Sequence, residues 1–310
     1  MEQEVKFNSG NIQLSGMLKL PNSDDPQAFV LLIAGSGALD RDENGRKIRI
    51  NSLKEIAEYL ANHQIASMRY DKRGVGESEG SYWDTGFLDN VADAESALKY
   101  LRSRSVAKGK PAFVMGHSEG ALIATHLAAE HPDLCGAILV GGAAQTGESV
   151  MRWQAVEVAR GLRGFNAFLI RLLHIDVAKA QDKAMRKVKR SPKNWHRVGI
   201  VRKMNAKWLR EFMAYDPKLD LARVKIPVLA LTGSKDIQVD PSDLRRMSET
   251  ILSDFEYHEI PNMTHMLRPE EGQASVSAYR EEVKRPVDPR LLDFTGAWLK
   301  SHINCEVRGG

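Results

Sequence analysis

Two cysteines, Cys135 and Cys305, are all that this chain of 310 residues carries. They stand far apart in the sequence, and so few can build neither a metal-ligand cluster nor a disulfide framework, which makes a reducing compartment the expected setting. A run of about 18 apolar residues is also missing, so no membrane span or stable membrane insertion is expected. The N-terminus, Met1-Glu2-Gln3-Glu4-Val5-Lys6, lacks the basic start and apolar stretch of a secretion signal, and the expected location is cytoplasmic. Internal repeats and low-complexity tracts are absent too. The net charge of +4 is too small to argue for nucleic acid as a partner.

The charge is unevenly placed. Residues 147 to 220 hold 17 Lys and Arg against 7 Asp and Glu, a local +10 that leaves −6 for the rest of the chain. The same stretch interrupts an otherwise regular pattern. Before it, a turn-forming Asn8-Ser9-Gly10-Asn11 divides two alternating runs and predicts a hairpin. Ala28 to Ala34 is a continuous apolar run, as in a strand buried on both faces. Ser52 and Glu55 have capping-box spacing, and Leu53, Ile56, Ala57 and Leu60 follow with helical periodicity. Ile65 to Tyr70 predicts a strand, Phe87 to Arg102 a helix, and Cys135 to Val140 another strand. After residue 220 the alternation resumes with Val228 to Leu231, a helix beyond Pro241, a strand over Phe255 to Ile260 and a helix over Leu291 to Leu299. Strands alternating with helices predict an α/β fold with a mostly parallel sheet.

Within that pattern, Gly116-His117-Ser118-Glu119-Gly120 follows the apolar run Ala112 to Met115 and precedes the helix formers Ala121 to Ala129. Small residues two positions on either side of a serine suit a tight strand-to-helix turn that leaves the hydroxyl exposed at a helix N-terminus. A serine is a weak nucleophile at neutral pH and needs a base, which in turn needs a group to fix its tautomer. In a parallel sheet these partners belong in loops after the C-terminal ends of strands. His265 lies in the loop beyond the strand ending at Ile260. His258 falls within that strand, His117 should point away from the serine, and His126 and His131 fall on or after the helix that follows it. For the acid, Asp236 follows the strand Val228 to Leu231 directly. Asp240 precedes Pro241 and reads better as a helix cap.

The order Ser118, Asp236, His265 resembles the α/β-hydrolase superfamily, whose members share the order nucleophile, acid, histidine. Asp71 to Ser78 is similar to the superfamily's Asp-x-Arg-Gly-x-Gly-x-Ser loop. Gly35-Ser36-Gly37 followed by Asp40-Arg41-Asp42 resembles a group of bacterial serine carboxylesterases, although Ala34 stands where a histidine usually precedes the first glycine. The resemblance implies an α/β-hydrolase core over 1–146 and 221–310, with helices on both faces of the sheet and a helical cap inserted at 147–220. It also implies an oxyanion hole from the backbone N–H groups of Ser36 and Glu119, Gly37 being the alternative to Ser36. Asp40, Arg41 and Asp42 are expected to order the loop rather than touch substrate.

These readings converge on a serine hydrolase that cleaves carboxylic esters through an acyl-enzyme, with no cofactor and no metal. Its partner is a small-molecule acyl ester, and an anionic one, such as an acyl-CoA or a phospholipid, if the basic insertion recognises charge rather than simply presenting a solvated face. A thioesterase, amidase or peptidase would use the same triad, and a non-catalytic binding module could keep the fold. The oligomeric state is not legible.

Overall fold

The computed structural model describes residues 1–23, 25–161, 176–198 and 202–305. Ten strands fall in these segments: β1 (Glu2–Ser9), β2 (Ile12–Lys19), β3 (Ala28–Ile33), β4 (Ile65–Tyr70), β5 (Ala112–His117), β6 (Gly136–Val140), β7 (Trp195–Val198), β8 (Arg202–Asn205), β9 (Val228–Gly233) and β10 (Phe255–Ile260). Eight of them form one sheet in the order β1-β2-β4-β3-β5-β6-β9-β10. The β1–β2 and β2–β4 pairings are antiparallel, and every pairing from β4 to β10 is parallel. The first hairpin turns at Gly10 and Asn11, as the sequence predicts, with Ser9 paired to Ile12.

Strand β3 explains why its sequence is a continuous apolar run. All six residues are buried, and the pleat sends alternate side chains to opposite layers. Phe29, Leu31 and Ile33 join a layer with helices α2 (Phe87–Ser103) and α3 (Glu119–Glu130). Ala28, Val30 and Leu32 join the other with α1 (Ser52–Asn62) and the helix Pro289–His302. Helices therefore cover both faces, and the chain has the α/β-hydrolase architecture. The apolar positions of α1 are buried as predicted, but the capping box does not form. Asn51 caps the helix in a left-handed conformation without a side-chain bond, Ser52 donates to Glu43 instead, and Glu55 accepts from Arg268 Nη2 and Val287 N, both at 2.7 Å.

The described part of the basic stretch contains α4 (Gly147–Arg160), a helix over Val177–Lys189, the antiparallel pair β7–β8, and helices over Ala206–Ala214 and Pro217–Leu221. Met185, Val188, Ala206, Leu209 and Met213 form a small apolar cluster of their own. Leu162, Phe165, Phe168, Leu169 and Leu172 of the same stretch lie outside the described residues.

The cysteine expectation is corrected. Cys135 and Cys305 are joined in a disulfide, with Cα atoms 5.7 Å apart. The helix Pro289–His302 packs on the same layer as Cys135, with Trp298 close against Gly136, and so returns the C-terminal segment to the entry of β6. Sequence distance conceals that return. No helix among the described residues is long and apolar enough to cross a membrane.

Candidate active site

The parallel strands carry their following loops to one edge of the sheet, and the sequence-predicted residues meet there. Between β5 and α3 the chain turns through Ser118, which has φ 56° and ψ −116°. A non-glycine residue in this region is strained and persists only where its surroundings hold it. Ser118 N donates to Val140 O at 2.8 Å, which fixes the turn to β6. The flanking glycines are required by close approach: a Cβ on Gly116 would lie 1.9 Å from Gly120 O, and one on Gly120 would lie 2.1 Å from Ile33 O.

Asp236, in the loop after β9, and His265, in the loop after β10, are joined by a 2.7 Å hydrogen bond from His265 Nδ1 to Asp236 Oδ2. Both side chains are buried. The other carboxylate oxygen accepts from Gln238 N at 2.7 Å and Val239 N at 2.9 Å, so the acid is held on both sides. Asp240 instead accepts from Ser242 N at 3.0 Å and pairs with Arg246, a turn-stabilising role at the entry to the helix Asp243–Ser248. His258 bonds Glu256 on β10, and His126 and His131 bond Asp220 and Glu95.

Ser118 lines two cavities of about 190 Å³ each. The first is walled by Leu122, Val150, Met151, Trp208 and Phe212. His265 opens into the second, with Leu39, Ile48, Ile50, Met266 and Tyr279. Ser36 lines both cavities and Gly37 neither. Among the described residues no hydrogen bond joins Ser118 Oγ to His265, a looseness common in ligand-free sites. Gln238 stands at the junction of the cavities, accepting from Gln154 Nε2 at 3.0 Å and donating to Tyr279 OH at 3.2 Å.

The charged loop after β3 is ordered by its ion pairs. Arg41 contacts Asp71 through Nε and Nη2 at 3.1 and 2.7 Å, and Asp42 takes Arg69 Nε at 2.6 Å. Glu43 is the residue the sequence does not reveal. Its buried carboxylate accepts from Gly35 N at 2.7 Å, from Ser52, and from His117 Nδ1 at 2.7 Å. His117 Nε2 lies 3.1 Å from the backbone oxygen of His265 and donates to it. Burial alone would lower the His117 pKa, but the charge and hydrogen bond of Glu43 raise it above 6.5. Burial likewise works to raise Glu43, and the His117 charge with three hydrogen bonds brings it below 4.5 instead. The two form a buried ion pair that links the loops after β3 and β10 through the end of β5.

A group of possible metal ligands occurs elsewhere, where His126, Glu130 and Asp220 place ligand atoms within 4.8 Å of one another. Arg223 pairs with both carboxylates, and Tyr215 donates to Asp220 at 2.8 Å, so their charge is already compensated within the protein.

A family profile described as serine aminopeptidase S33 matches residues 44–272, which is most of the chain. The chain belongs to this family of α/β-hydrolases. Esterase EstD of Thermotoga maritima is 27% identical over 306 residues, spanning 96% of this chain and 67% of that protein. Among solved structures, Est1E from Butyrivibrio proteoclasticus, with ferulic acid bound, superposes with a TM-score of 0.66 at 17% identity, covering 97% of this chain and all of that one. The Pyrococcus furiosus esterase Pf2001 gives a TM-score of 0.64 at 14% identity, covering 98% and 92%. These two similarities concern the fold.

Proposed function

We propose that the chain is a serine carboxylesterase that works through an acyl-enzyme. The observation that carries this reading is the Asp236–His265 bond of 2.7 Å beside a serine held at φ 56° in a shared cavity. Ser118 attacks the ester carbonyl while His265 takes its proton, and Asp236 fixes the imidazole with Nε2 toward the serine and stabilises its cation. The N–H groups of Ser36 and Glu119 hold the oxyanion; neither donates to any described protein group. His265 then protonates the departing alkoxide, and water, activated by the same histidine, releases the acid.

The general acid must reach the leaving oxygen, so the alcohol belongs in the cavity that His265 lines and the acyl group in the other. The segment 147–220 acts as a cap in this reading, because α4 and the helix Ala206–Ala214 supply Val150, Met151, Trp208 and Phe212 to the acyl wall. Each cavity, at about 190 Å³, takes one half of the ester, which favours short acyl and alcohol groups. Neither has Lys or Arg among its described lining residues, which favours a neutral ester over an anionic one at the reacting centre.

The family description raises aminopeptidase activity as a second reading. An aminopeptidase needs a free acceptor for the substrate ammonium. The carboxylates lining these cavities are already engaged, Glu43 by His117 and Gly35, and Glu119 by Lys72 and Asn90. Matched ester, thioester and amide substrates separate the readings, with the ester expected to turn over fastest. Ser118→Ala should abolish ester turnover and fluorophosphonate labelling. Retained turnover would sink the mechanism, and an unlabelled wild-type Ser118 would favour a binding module. A cytoplasmic location, expected from the sequence, stands against the Cys135–Cys305 disulfide, and the redox state of these cysteines in cells decides between them.

A further inference from the structure

Gly35 is gripped from both sides by buried charge. Its N–H donates to Glu43 Oε1 at 2.7 Å, and its carbonyl accepts from Lys72 Nζ at 2.5 Å. Lys72 comes from the loop after β4 and is 5% exposed; Glu119, the first residue of α3, is 2% exposed. Lys72 Nζ also contacts Glu119 Oε2 at 3.2 Å, and Asn90 Nδ2 donates to the other carboxylate oxygen at 2.6 Å. Withdrawing a lysine ammonium from water is unfavourable, and a buried pair is often no more stable than apolar residues of the same size. Stability alone is therefore a weak account of this pair.

The peptide that Lys72 touches supplies a better one. The carbonyl of Gly35 and the N–H of Ser36 belong to one planar trans unit and point in opposite directions. Holding the carbonyl on the Lys72 side aims the Ser36 N–H away from it, toward the cavities that Ser36 shares with Ser118. A cation on the carbonyl oxygen also polarises the unit and strengthens its N–H as a donor. We propose that Lys72 is a positioning residue for the oxyanion hole, acting through the Gly35–Ser36 peptide, with the Glu119 side chain as its counter-charge. Glu119 then serves twice: its N–H faces the oxyanion and its carboxylate keeps Lys72 in place. This inference rests on the serine-hydrolase reading of Ser118.

The test uses the full chain. Lys72→Met should lower kcat by about tenfold or more while KM changes little, because a donor aimed at the oxyanion acts mainly in the transition state. Affinity for a boronic acid, which forms a tetrahedral adduct on the serine, should fall in parallel. Lys72→Met leaves the Glu119 carboxylate buried without its cation, so the double variant Lys72→Met/Glu119→Gln, which keeps both backbone N–H groups, guards against misfolding. Recovered melting with kcat still low supports the proposal. Recovery of kcat together with melting overturns it and reduces Lys72 to neutralising Glu119, as does a Lys72→Met enzyme with unchanged kcat. Activity persisting in Ser118→Ala is a different failure, that of the underlying reading.

Discussion

His117 Nδ1 lies 2.7 Å from Glu43 Oε1, and both side chains are withdrawn from solvent. The pair includes the neighbour of Ser118 and holds the loop after β3 and the loop after β10 at once, so its charge state bears on the stability of the whole edge of the sheet.

Its pH dependence follows from the two shifts. His117 is raised above 6.5, so its contribution is complete below that value and is lost as pH rises through the folded pKa. Glu43 is lowered below 4.5, so its contribution is present above 4.5 and is lost as pH falls through its folded pKa. The melting-temperature gap between wild type and Glu43→Gln should be widest between these limits and narrow toward both acid and alkaline pH. A gap that is flat from pH 4 to 9 would contradict the ion pair.

Asp236→Asn should lower kcat by roughly 10⁴, the scale seen when a triad acid is made neutral. Asp240→Asn, which removes the pairing with Arg246, should leave kcat near the wild-type value. Steady-state kinetics on both variants decides which aspartate is the triad acid.

The two cavities should respond separately. Trp208→Ala enlarges the acyl side and should shift the optimum toward longer acyl chains without changing the ranking of leaving alcohols. Met266→Ala enlarges the other side and should broaden the alcohols accepted at a fixed acyl group. A two-way panel of acyl and alcohol lengths measures this, and crossed effects would reverse the assignment.

Disulfides persist mainly in oxidising compartments. Thiols trapped at lysis should remain free at Cys135 and Cys305 if the protein works in the cytoplasm, and become protected if it meets oxidising conditions. Since the bond closes a separation of 170 residues, the oxidised form should be more stable than Cys135→Ser by up to about 5 kcal/mol on the chain-entropy account. Denaturant unfolding of the two forms provides the comparison.

Periodicity and turn chemistry made the core legible: the run Ala28 to Ala34, the elbow at Ser118 and the loops bearing Asp236 and His265 all stand where alternation places them. What stayed hidden depends on contacts between distant segments. Nothing in the spacing directs Glu43 to His117, 74 residues later, or Lys72 to the Gly35 carbonyl, 37 residues earlier. The Ser52–Glu55 spacing misled because tertiary partners, Glu43 and Arg268, claimed both side chains. Cys135 met Cys305 for the same reason, since the last helix returns across the sheet.

Because Glu43 binds Gly35 directly and reaches His265 through His117, the loop after β3, the end of β5 and the loop after β10 share one anchor. Opening any of them breaks a bond that also restrains the others, so their backbone amides should exchange with solvent as a single cooperative unit rather than loop by loop.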